Sequence, residues 1–486
     1  MKKSIRNRIA AFFLTFLLLP VCLQSASAAG DVPAEEMTRF LRIEQGRHPG
    51  SAEKLVDDYL DESFRYAPFE VVRLTWPDAP RTPTYLCIQW GTVPKNVHIR
   101  QTDASGNLID DESVGTDWDS IIPLFEETTG VTVIAGEEGM DLIRIALFTE
   151  GKLPEPFLPW QETPRGMDYL VIATHPDDDV LFMGAVVPIY GAEQGYTGTV
   201  AFVTNPSRRR IDEAKLGAWA MGTTYHPLFL GFMDISEYAR DVYPYCFLSE
   251  SVTLALVRML REYRPLVVFS HDLNGEYGHW QHKVVAASVS DAVRLCADPS
   301  YDPASYEQFG TWEVKKCYLH LYAENTLEMD IQTPLTSMNG RSALSVARGA
   351  FLKHKSQQSG RYHVQAESEP YAMNKFGMIY GTVDAGNDVF DNIDPSLLST
   401  YTQPLAEPVP PAEPTPEPTE EPTLQPVAEA TPAVTPQPAV TVIPDEPKAE
   451  EPKPAAQKIL LPVLCALGGA AAASVLFVLF GRRKRR

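Results

Sequence analysis

An alternation of strands and helices over the middle of the chain constrains its fold more than any other feature. Three uninterrupted apolar runs, residues 169–174, 199–204 and 266–270, are each followed by a segment with helical spacing. Strands that are apolar on both faces, with helices between them, predict a parallel sheet covered on both sides. We therefore expect an α/β domain over residues 165–400, with functional groups beyond the carboxyl ends of its strands.

The preceding residues, 66–160, have a different rhythm. Short runs of strand type, such as residues 71–76 and 85–90, follow one another with turn signals rather than long helices between them. This pattern predicts a small antiparallel β-sandwich of the kind that resembles galactose-binding modules. Residues 30–65 show helical spacing and are expected to form a helical N-terminal segment.

Both ends of the chain carry signals for export and membrane attachment. Residues 1–28 are basic, then apolar, then small, which is the order of a secretory signal peptide. Residues 459–480 carry no charge and are long enough to span a bilayer, and the basic residues 481–486 follow directly. The sequence thus predicts one transmembrane helix, a cytoplasmic C-terminal tail and a body on the extracellular face of the cell membrane.

The composition of residues 403–458 and the net charge of the chain add two further expectations. Residues 403–458 are rich in Pro, Glu, Thr and Ala, which predicts a disordered, extended stalk because such a segment buries little apolar surface. The net charge is −21, although basic residues are concentrated at both ends. A body this acidic repels phosphate backbones, so we expect no nucleic-acid partner. Membrane contact is expected only through the C-terminal helix, and the sequence identifies no protein partner.

Two polar segments stand directly after two of the predicted strands. Residues 175–179 read His-Pro-Asp-Asp-Asp, and residues 271–282 end in Gly-His-Trp-Gln-His. Because residues three apart on a helix share a face, His279 and His282 are able to point at one centre. Two imidazoles and one carboxylate leave a fourth position of Zn²⁺ open for water, as in catalytic sites. The pattern predicts a hydrolytic zinc site with a carboxylate base, against the alternative of a solvated acidic loop beside a structural histidine pair.

These segments strongly resemble the PIG-L/LmbE-like family of zinc-dependent N-acetyl-sugar deacetylases. The family's hallmarks are His-Pro-Asp-Asp-Glu after the first strand of a Rossmann-like domain and a later Gly-His-x-x-His. The resemblance covers about residues 168–393 and includes residues 350–357, which look like the family's late His-x-Ser-Gln element. It implies a Rossmann-like, mostly parallel sheet and hydrolysis of an N-acetyl group. Asp179 is a departure, because the family usually has Glu at this position.

The resemblance also implies a role for each motif residue. The implied zinc ligands are His175, Asp178 and His282. Asp177 matches the general base, which activates the zinc-bound water. His279 matches the residue that stabilises the tetrahedral oxyanion and protonates the departing amine.

Other residues are expected around these groups. Asp179 is expected to support the ligands from behind. The residues expected to contact the substrate are Arg209, Arg210, Asn274 and His354. For the two arginines, a solvated helix start is an equally good interpretation.

These features predict a secreted, membrane-anchored zinc deacetylase that acts on a GlcNAc-type sugar in an extracellular glycan or glycoconjugate. Two alternatives stay open. One is a surface glycan-binding adhesin in which the hydrolase-like domain is a non-catalytic scaffold. The other is an O-deacetylase that uses the same zinc site.

Overall fold

The strand formed by Tyr169–Ala173 lies in the interior of its sheet and is buried on both faces, as its uninterrupted apolar sequence predicts. The structure, a computed structural model, describes residues 32–45, 52–57, 62–115, 117–205, 207–243 and 245–400. The predicted signal peptide, stalk, transmembrane segment and basic tail (residues 1–28, 403–458, 459–480 and 481–486) lie outside these ranges.

The described residues form strands and helices as follows. The strands are β1 (Arg42–Gln45), β2 (Phe64–Tyr66), β3 (Val71–Thr75), β4 (Tyr85–Trp90), β5 (Val97–Thr102), β6 (Leu108–Val114), β7 (Asp119–Pro123), β8 (Gly130–Ile134), β9 (Met140–Phe148), β10 (Tyr169–Ala173), β11 (Gly198–Thr204), β12 (Leu228–Phe232), β13 (Val267–Ser270), β14 (Lys316–His320), β15 (Thr326–Glu328), β16 (Pro334–Leu335), β17 (Arg341–Ser342) and β18 (Lys375–Gly381). The α-helices are α1 (Asp178–Met183), α2 (Arg208–Met221), α3 (Ser249–Tyr263), α4 (Trp280–Leu295), α5 (Pro303–Phe309) and α6 (Ala343–Phe351).

The N-terminal strands form two antiparallel sheets, in the orders β1-β3-β8-β5-β6 and β2-β9-β4-β7. Along β3, Val72 and Leu74 are buried whereas Arg73 and Thr75 are exposed, so one face of this sheet meets the core and the other meets water. The apolar side chains of both sheets join one cluster, which includes Trp76 and Trp90. Both tryptophans are therefore core residues.

The second part of the chain forms a seven-stranded sheet in the order β12-β11-β10-β13-β14-β18-β15. Its first five strands are parallel, β18 is antiparallel to β14, and β15 is antiparallel to β18. On β10, Val171 and Ala173 belong to one hydrophobic cluster, whereas Leu170 and Ile172 belong to the cluster on the opposite face. Alternate residues of one strand thus complete two cores, which explains why β10 has no polar face.

Charged residues of the β-sandwich and helix α2 pack together in a buried network. Nζ of Lys215 lies 2.7 Å from Oδ2 of Asp119 and also contacts Asp117. Arg208 pairs with Asp119 and with Asp212. These side chains are almost fully buried, so the sandwich is joined to α2 by charges that water does not screen.

Two sequence-based predictions need correction at the N-terminal part. Within the predicted helical segment 30–65, the described residues 32–45, 52–57 and 62–65 contain no α-helix. These described residues form single 3₁₀ turns, strand β1 and the start of β2, and β1 pairs with β3 with Arg42 opposite Thr75. Strand pairing in the folded protein overrides the local helical spacing. The antiparallel region is consequently larger than the small sandwich expected.

The predicted fold class and localisation also included a membrane-spanning helix, and this component is corrected. None of the helices within the described ranges combines the length and the apolar character needed to cross a membrane. Helix α4, with 16 residues, is about 24 Å long, shorter than a hydrocarbon core of about 30 Å. The single-pass anchor and the cell-surface location that depended on such a helix are corrected with it.

The buried charge network provides a test of how the two parts hold together. Replacing Lys215 with Met removes the buried cation that Asp117 and Asp119 share and leaves Asp119 only its pair with Arg208, so we expect the free energy of unfolding to fall by about 3–5 kcal/mol. Urea denaturation followed by circular dichroism measures this loss. Lys54→Met is the control, because the Lys54–Glu62 pair is exposed and should contribute less than about 1 kcal/mol. Equal stability of the two variants would contradict the assignment.

Candidate metal centre

The two polar segments of the sequence meet at the carboxyl ends of β10 and β13. These strands are parallel neighbours, and the chain continues from β10 to β11 on one side and from β13 to β14 on the other. Such a reversal opens a crevice between the two strand ends. The backbone N–H of Thr174 donates to Nε2 of His271 at 2.9 Å, which joins the first residues after the two strands.

A tight turn after β10 separates the two neighbouring carboxylates. Oδ2 of Asp178 accepts the backbone N–H of His175 at 2.7 Å. Asp177, just before α1, has a φ of 150°, a backbone conformation that residues other than glycine seldom adopt. Oδ1 of Asp177 accepts from Arg210 at 2.9 Å, whereas Asp178 faces the histidines. The turn thus directs Asp177 and Asp178 to different partners.

The hydrogen bonds around His271 determine where its proton lies. Because a backbone N–H only donates, Nε2 of His271 accepts from Thr174 and the ring proton is on Nδ1. Nδ1 then donates to Oε2 of Glu276 at 2.8 Å. The same carboxylate oxygen lies 2.8 Å from Nδ1 of His282, so His282 also carries its proton on Nδ1 and leaves Nε2 free to bind a ligand.

Gln281 determines the protonation of His175 in the same way. Oε1 of Gln281 accepts the backbone N–H of Ile235 at 3.1 Å, and its Nε2 donates to the carbonyl of Met233 at 2.9 Å. Oε1 is therefore the atom that faces Nε2 of His175, 3.1 Å away. Since this oxygen only accepts, Nε2 of His175 donates, and the lone pair of His175 lies on Nδ1.

Three acceptor atoms consequently face one another. Nδ1 of His175 lies 3.0 Å from Oδ2 of Asp178 and 3.1 Å from Nε2 of His282, and the latter two atoms are 3.2 Å apart. A tetrahedral Zn²⁺ with bonds of about 2.0–2.1 Å separates its ligand atoms by about 3.3 Å. Three electron-rich atoms at such distances need a cation between them, so this donor set fits a metal ion.

His271 lies close to this set but does not complete it. Its Nε2 is 3.6 Å from Oδ2 of Asp178, and His271, Asp178 and His282 together are near enough to hold an ion. However, the lone pair of Nε2 already accepts from Thr174. His279 is the better additional group, because it lies with His175 and His282 within reach of a common ion.

The charges of the site favour a cation at this position. Burial opposes ionisation of Asp178, yet His282 and His175 hold the pKa of this carboxyl well below its usual value. Burial likewise opposes protonation of His282, but Asp178 raises the pKa of the imidazole to about 10. Asp178 therefore stabilises positive charge between the two rings, which is what a metal ion requires.

Asp177 and His279 flank the three acceptors. Burial raises the pKa of Asp177 to about 7, and Arg210 opposes this shift. Burial, together with His282 and His175, lowers the pKa of His279 to about 3, so the ring is neutral. Its Nδ1 is buried and has no hydrogen-bond partner among the described residues. His279 thus brings an unpaired polar atom to the site.

The other predicted residues take different positions. Arg210 lies in the site through Asp177, whereas Arg209 is exposed. Asn274 is exposed in a turn that Asp272 closes. His354 is fully buried against Gly217 of α2, where a side chain would come within 2.4 Å of Nε2 of His354. In this position His354 is not accessible to a substrate, contrary to the expectation.

Asp179 does not support the ligands in the way the sequence suggested. Its carboxylate is buried, and neither oxygen has a hydrogen-bond partner among the residues that the structure describes. Burial, reinforced by Asp177, raises the pKa of Asp179 well above its usual value. The group that backs His282 is instead Glu276, which the sequence analysis did not identify.

The sequence analysis did not identify Glu276 and Gln281 as functional residues. Both lie inside the second motif, but neither has a characteristic spacing from its histidines. Glu276 belongs to a single 3₁₀ turn between two glycines with positive φ, Gly275 and Gly278. A side chain on Gly275 would come within 2.4 Å of the carbonyl oxygen of His279, so this loop requires glycine there. Only the folded loop brings Glu276 under His282.

Comparison with known proteins finds a family match over the part of the chain that carries the donor set. Residues 170–293 match the family model PIG-L, described as GlcNAc-PI de-N-acetylase. Over these residues the chain is similar to the PIG-L family. The matched segment begins in β10 and ends in α4, and it contains every residue of the donor set. The family resemblance predicted from the two motifs is confirmed.

Two curated relatives carry related names. A 1D-myo-inositol 2-acetamido-2-deoxy-alpha-D-glucopyranoside deacetylase 1 from Catenulispora acidiphila is 28% identical over 193 residues, which cover 34% of this chain and 58% of the relative. A deacetylase of the same name, without the number, from Geodermatophilus obscurus is 39% identical over 194 residues, or 34% of this chain and 64% of the relative. The chain thus spans less than two thirds of the length of either relative.

Solved structures with a detectable likeness include N,N'-diacetylchitobiose deacetylase from Pyrococcus horikoshii. It is 18% identical, with a TM-score of 0.30, and the match covers 39% of this chain and 70% of that chain. A conserved protein from Thermus thermophilus is 20% identical, with a TM-score of 0.29, and the match covers 39% of this chain and 80% of that chain.

Gln281 offers a test of the hydrogen bonds that orient His175. Gln281→Leu leaves the N–H of Ile235 and the carbonyl of Met233 without this partner, and we expect a loss of about 1–3 kcal/mol in the free energy of unfolding. Urea denaturation measures it. Lys283→Leu, at an exposed position of the same helix, should stay within about 0.5 kcal/mol of the parent protein. A Gln281→Leu protein as stable as this control would show that the amide bonds contribute nothing.

Proposed function

We propose that the PIG-L domain of this chain is a zinc-dependent deacetylase that hydrolyses the N-acetyl group of a GlcNAc-type sugar. The observation that carries the proposal is the convergence of Nδ1 of His175, Oδ2 of Asp178 and Nε2 of His282, three acceptors within 3.2 Å of one another. The names of the curated relatives, which are deacetylases of a 2-acetamido sugar, support the substrate class.

Zn²⁺ is the metal that best suits two imidazoles, one carboxylate and an open position. When bound, it lowers the pKa of a water ligand toward neutrality and polarises a carbonyl oxygen. His175, Asp178 and His282 would hold it. Each imidazole is oriented by a hydrogen bond on the side away from the metal, and Oδ2 of Asp178 is held by the backbone N–H of His175.

Asp177 is the proposed general base. It is buried beside Asp178 but directed away from the ligand set, and Arg210 holds one of its oxygens at 2.9 Å. Asp177 accepts a proton from the attacking water as the new C–O bond forms at the acetyl carbonyl carbon. When the C–N bond breaks, acetate leaves and the sugar nitrogen takes up a proton to become an amine.

His279 is the proposed partner of the carbonyl oxygen. Its ring is half-buried, and its centroid lies 4.8 Å from the ring of His175 and 4.5 Å from that of His282. A neutral imidazole donates one hydrogen bond to the negative oxygen of the tetrahedral species, where charge develops. His279 is more exposed than His175, Asp178 and His282, so it is the group of the site that lies nearest to solvent.

The division of work between the neighbouring aspartates is testable. Asp177→Asn removes the base but keeps the ligands, so zinc binding should persist while kcat falls by about 10²–10⁴. Asp178→Asn should instead weaken zinc binding. Elemental analysis and kcat on N-acetylated glucosamine oligosaccharides, followed by released amine, measure both. Loss of zinc in Asp177→Asn with retention in Asp178→Asn would reverse the two roles.

A second prediction concerns the histidine ligand. His282→Ala should lose zinc and activity together, because it removes one of three protein ligands. The matched control is His363→Ala, since His363 is exposed and pairs only with Glu369 among the described residues. Full zinc occupancy in the purified His282→Ala protein would show that the donor set is wrong. Release of acetate only from O-acetylated sugars would instead favour an O-deacetylase.

A further inference from the structure

Three histidines converge on one carboxylate beneath the proposed metal centre. Glu276 is fully buried, and its Oε2 lies 2.8 Å from Nδ1 of both His271 and His282. Its Oε1 lies 2.7 Å from Nδ1 of His320 and accepts the backbone N–H of Asp272 at 3.1 Å. Every lone pair of the carboxylate is therefore occupied, which leaves the side chain one orientation.

His320 holds the other oxygen of this carboxylate in place. Its Nε2 lies 3.0 Å from the carbonyl oxygen of Ala372, an atom that only accepts, so this nitrogen donates. Its Nδ1 faces Oε1 of Glu276. Both ring nitrogens of His320 are thereby engaged, which fixes the ring against Oε1 of Glu276.

The hydrogen bond to Glu276 determines which nitrogen of His282 faces the metal centre. With its proton fixed on Nδ1 by Glu276, the ring presents Nε2 to Asp178 and His175 and cannot turn over without losing a buried charge-assisted hydrogen bond. His271 does not compete, because its Nε2 is bound to Thr174. Glu276 thus accepts hydrogen bonds from two histidines with different roles. His271 joins the ends of β10 and β13, and His282 faces the metal.

We infer that Glu276 is the positioning residue of the metal centre, which sets the tautomer, orientation and basicity of His282. This inference rests on the proposed function, since His282 is taken as a metal ligand. Glu276 acts through His282 and does not itself reach the metal or the substrate. A carboxylate behind a ligating histidine raises its affinity for a metal, and removal of such a group typically costs about 10–100-fold in affinity.

The test is Zn²⁺ binding by the full chain, measured by competition with a chromophoric chelator and without any sugar. Glu276→Gln keeps the shape but loses the charge and half of the acceptor capacity, so the Kd for Zn²⁺ should rise about 10–100-fold. The control is Asp168→Asn. Asp168 is an equally buried carboxylate at the opposite end of β10, bonded to Thr197 and Ser399. The Asp168→Asn protein should lose stability, while its Kd for Zn²⁺ should stay within about twofold of that of the parent protein.

Two further measurements distinguish positioning from a merely structural role. Co²⁺ in place of zinc should show an altered visible absorption spectrum in Glu276→Gln, and an unaltered one in Asp168→Asn. Should Glu276→Gln fail to fold, NMR of isotope-labelled histidine in the zinc-loaded parent protein still decides the question. His282 must then be protonated on Nδ1 and ligated through Nε2, and ligation through Nδ1 would overturn the inference.

The outcomes separate this inference from the proposed function. If the parent protein binds no Zn²⁺, or binds it independently of His282, the proposed function fails. If the parent protein binds Zn²⁺ through His282 while a folded Glu276→Gln protein binds it within about twofold of the parent, the metal centre stands and Glu276 is not its positioning residue.

Discussion

The parallel pairing of β10 with β13 is the constraint on which the site depends. Because the two strands run in the same direction, their polar extensions emerge at one edge of the sheet, although 96 residues separate His175 from His271 in the printed sequence. The bond from Thr174 to Nε2 of His271 holds these extensions together. This one contact also fixes the tautomer of His271, and through Glu276 it determines which nitrogen of His282 faces the centre.

Buried charge is the second physical theme, and it is balanced pair by pair. Asp177 faces Arg210, Asp178 faces two histidines, and Glu276 faces His320 and two further rings. A buried carboxylate without such a partner would be protonated instead, as the raised pKa of Asp179 illustrates. The centre therefore retains negative charge only where a cationic side chain or a metal ion is provided for it.

The sequence could predict the elements whose signal is local. Continuous apolar runs indicated the parallel strands, and the polar residues that follow them indicated where the site would lie. Residues 30–65 were mistaken for helix because β1 owes its extended form to pairing with β3, a contact that local spacing does not encode. Glu276 and Gln281 escaped for a similar reason, since each is defined by groups that the fold brings to it: Glu276 by His320, and Gln281 by Ile235 and Met233.

Helix α2 connects this chemistry to the β-sandwich. Ser207 caps its first turn, and the next residues leave the helix on different sides, since residues two apart do not face each other. Arg208 points to Asp119 of the sandwich, whereas Arg210 reaches Asp177. Lys215, farther along α2, adds a second buried contact to Asp119. The β-sandwich therefore contacts α2 through Asp119, and α2 contacts the proposed base Asp177 through Arg210. Because of these contacts, a displacement of β7 would move Arg210 relative to the metal centre.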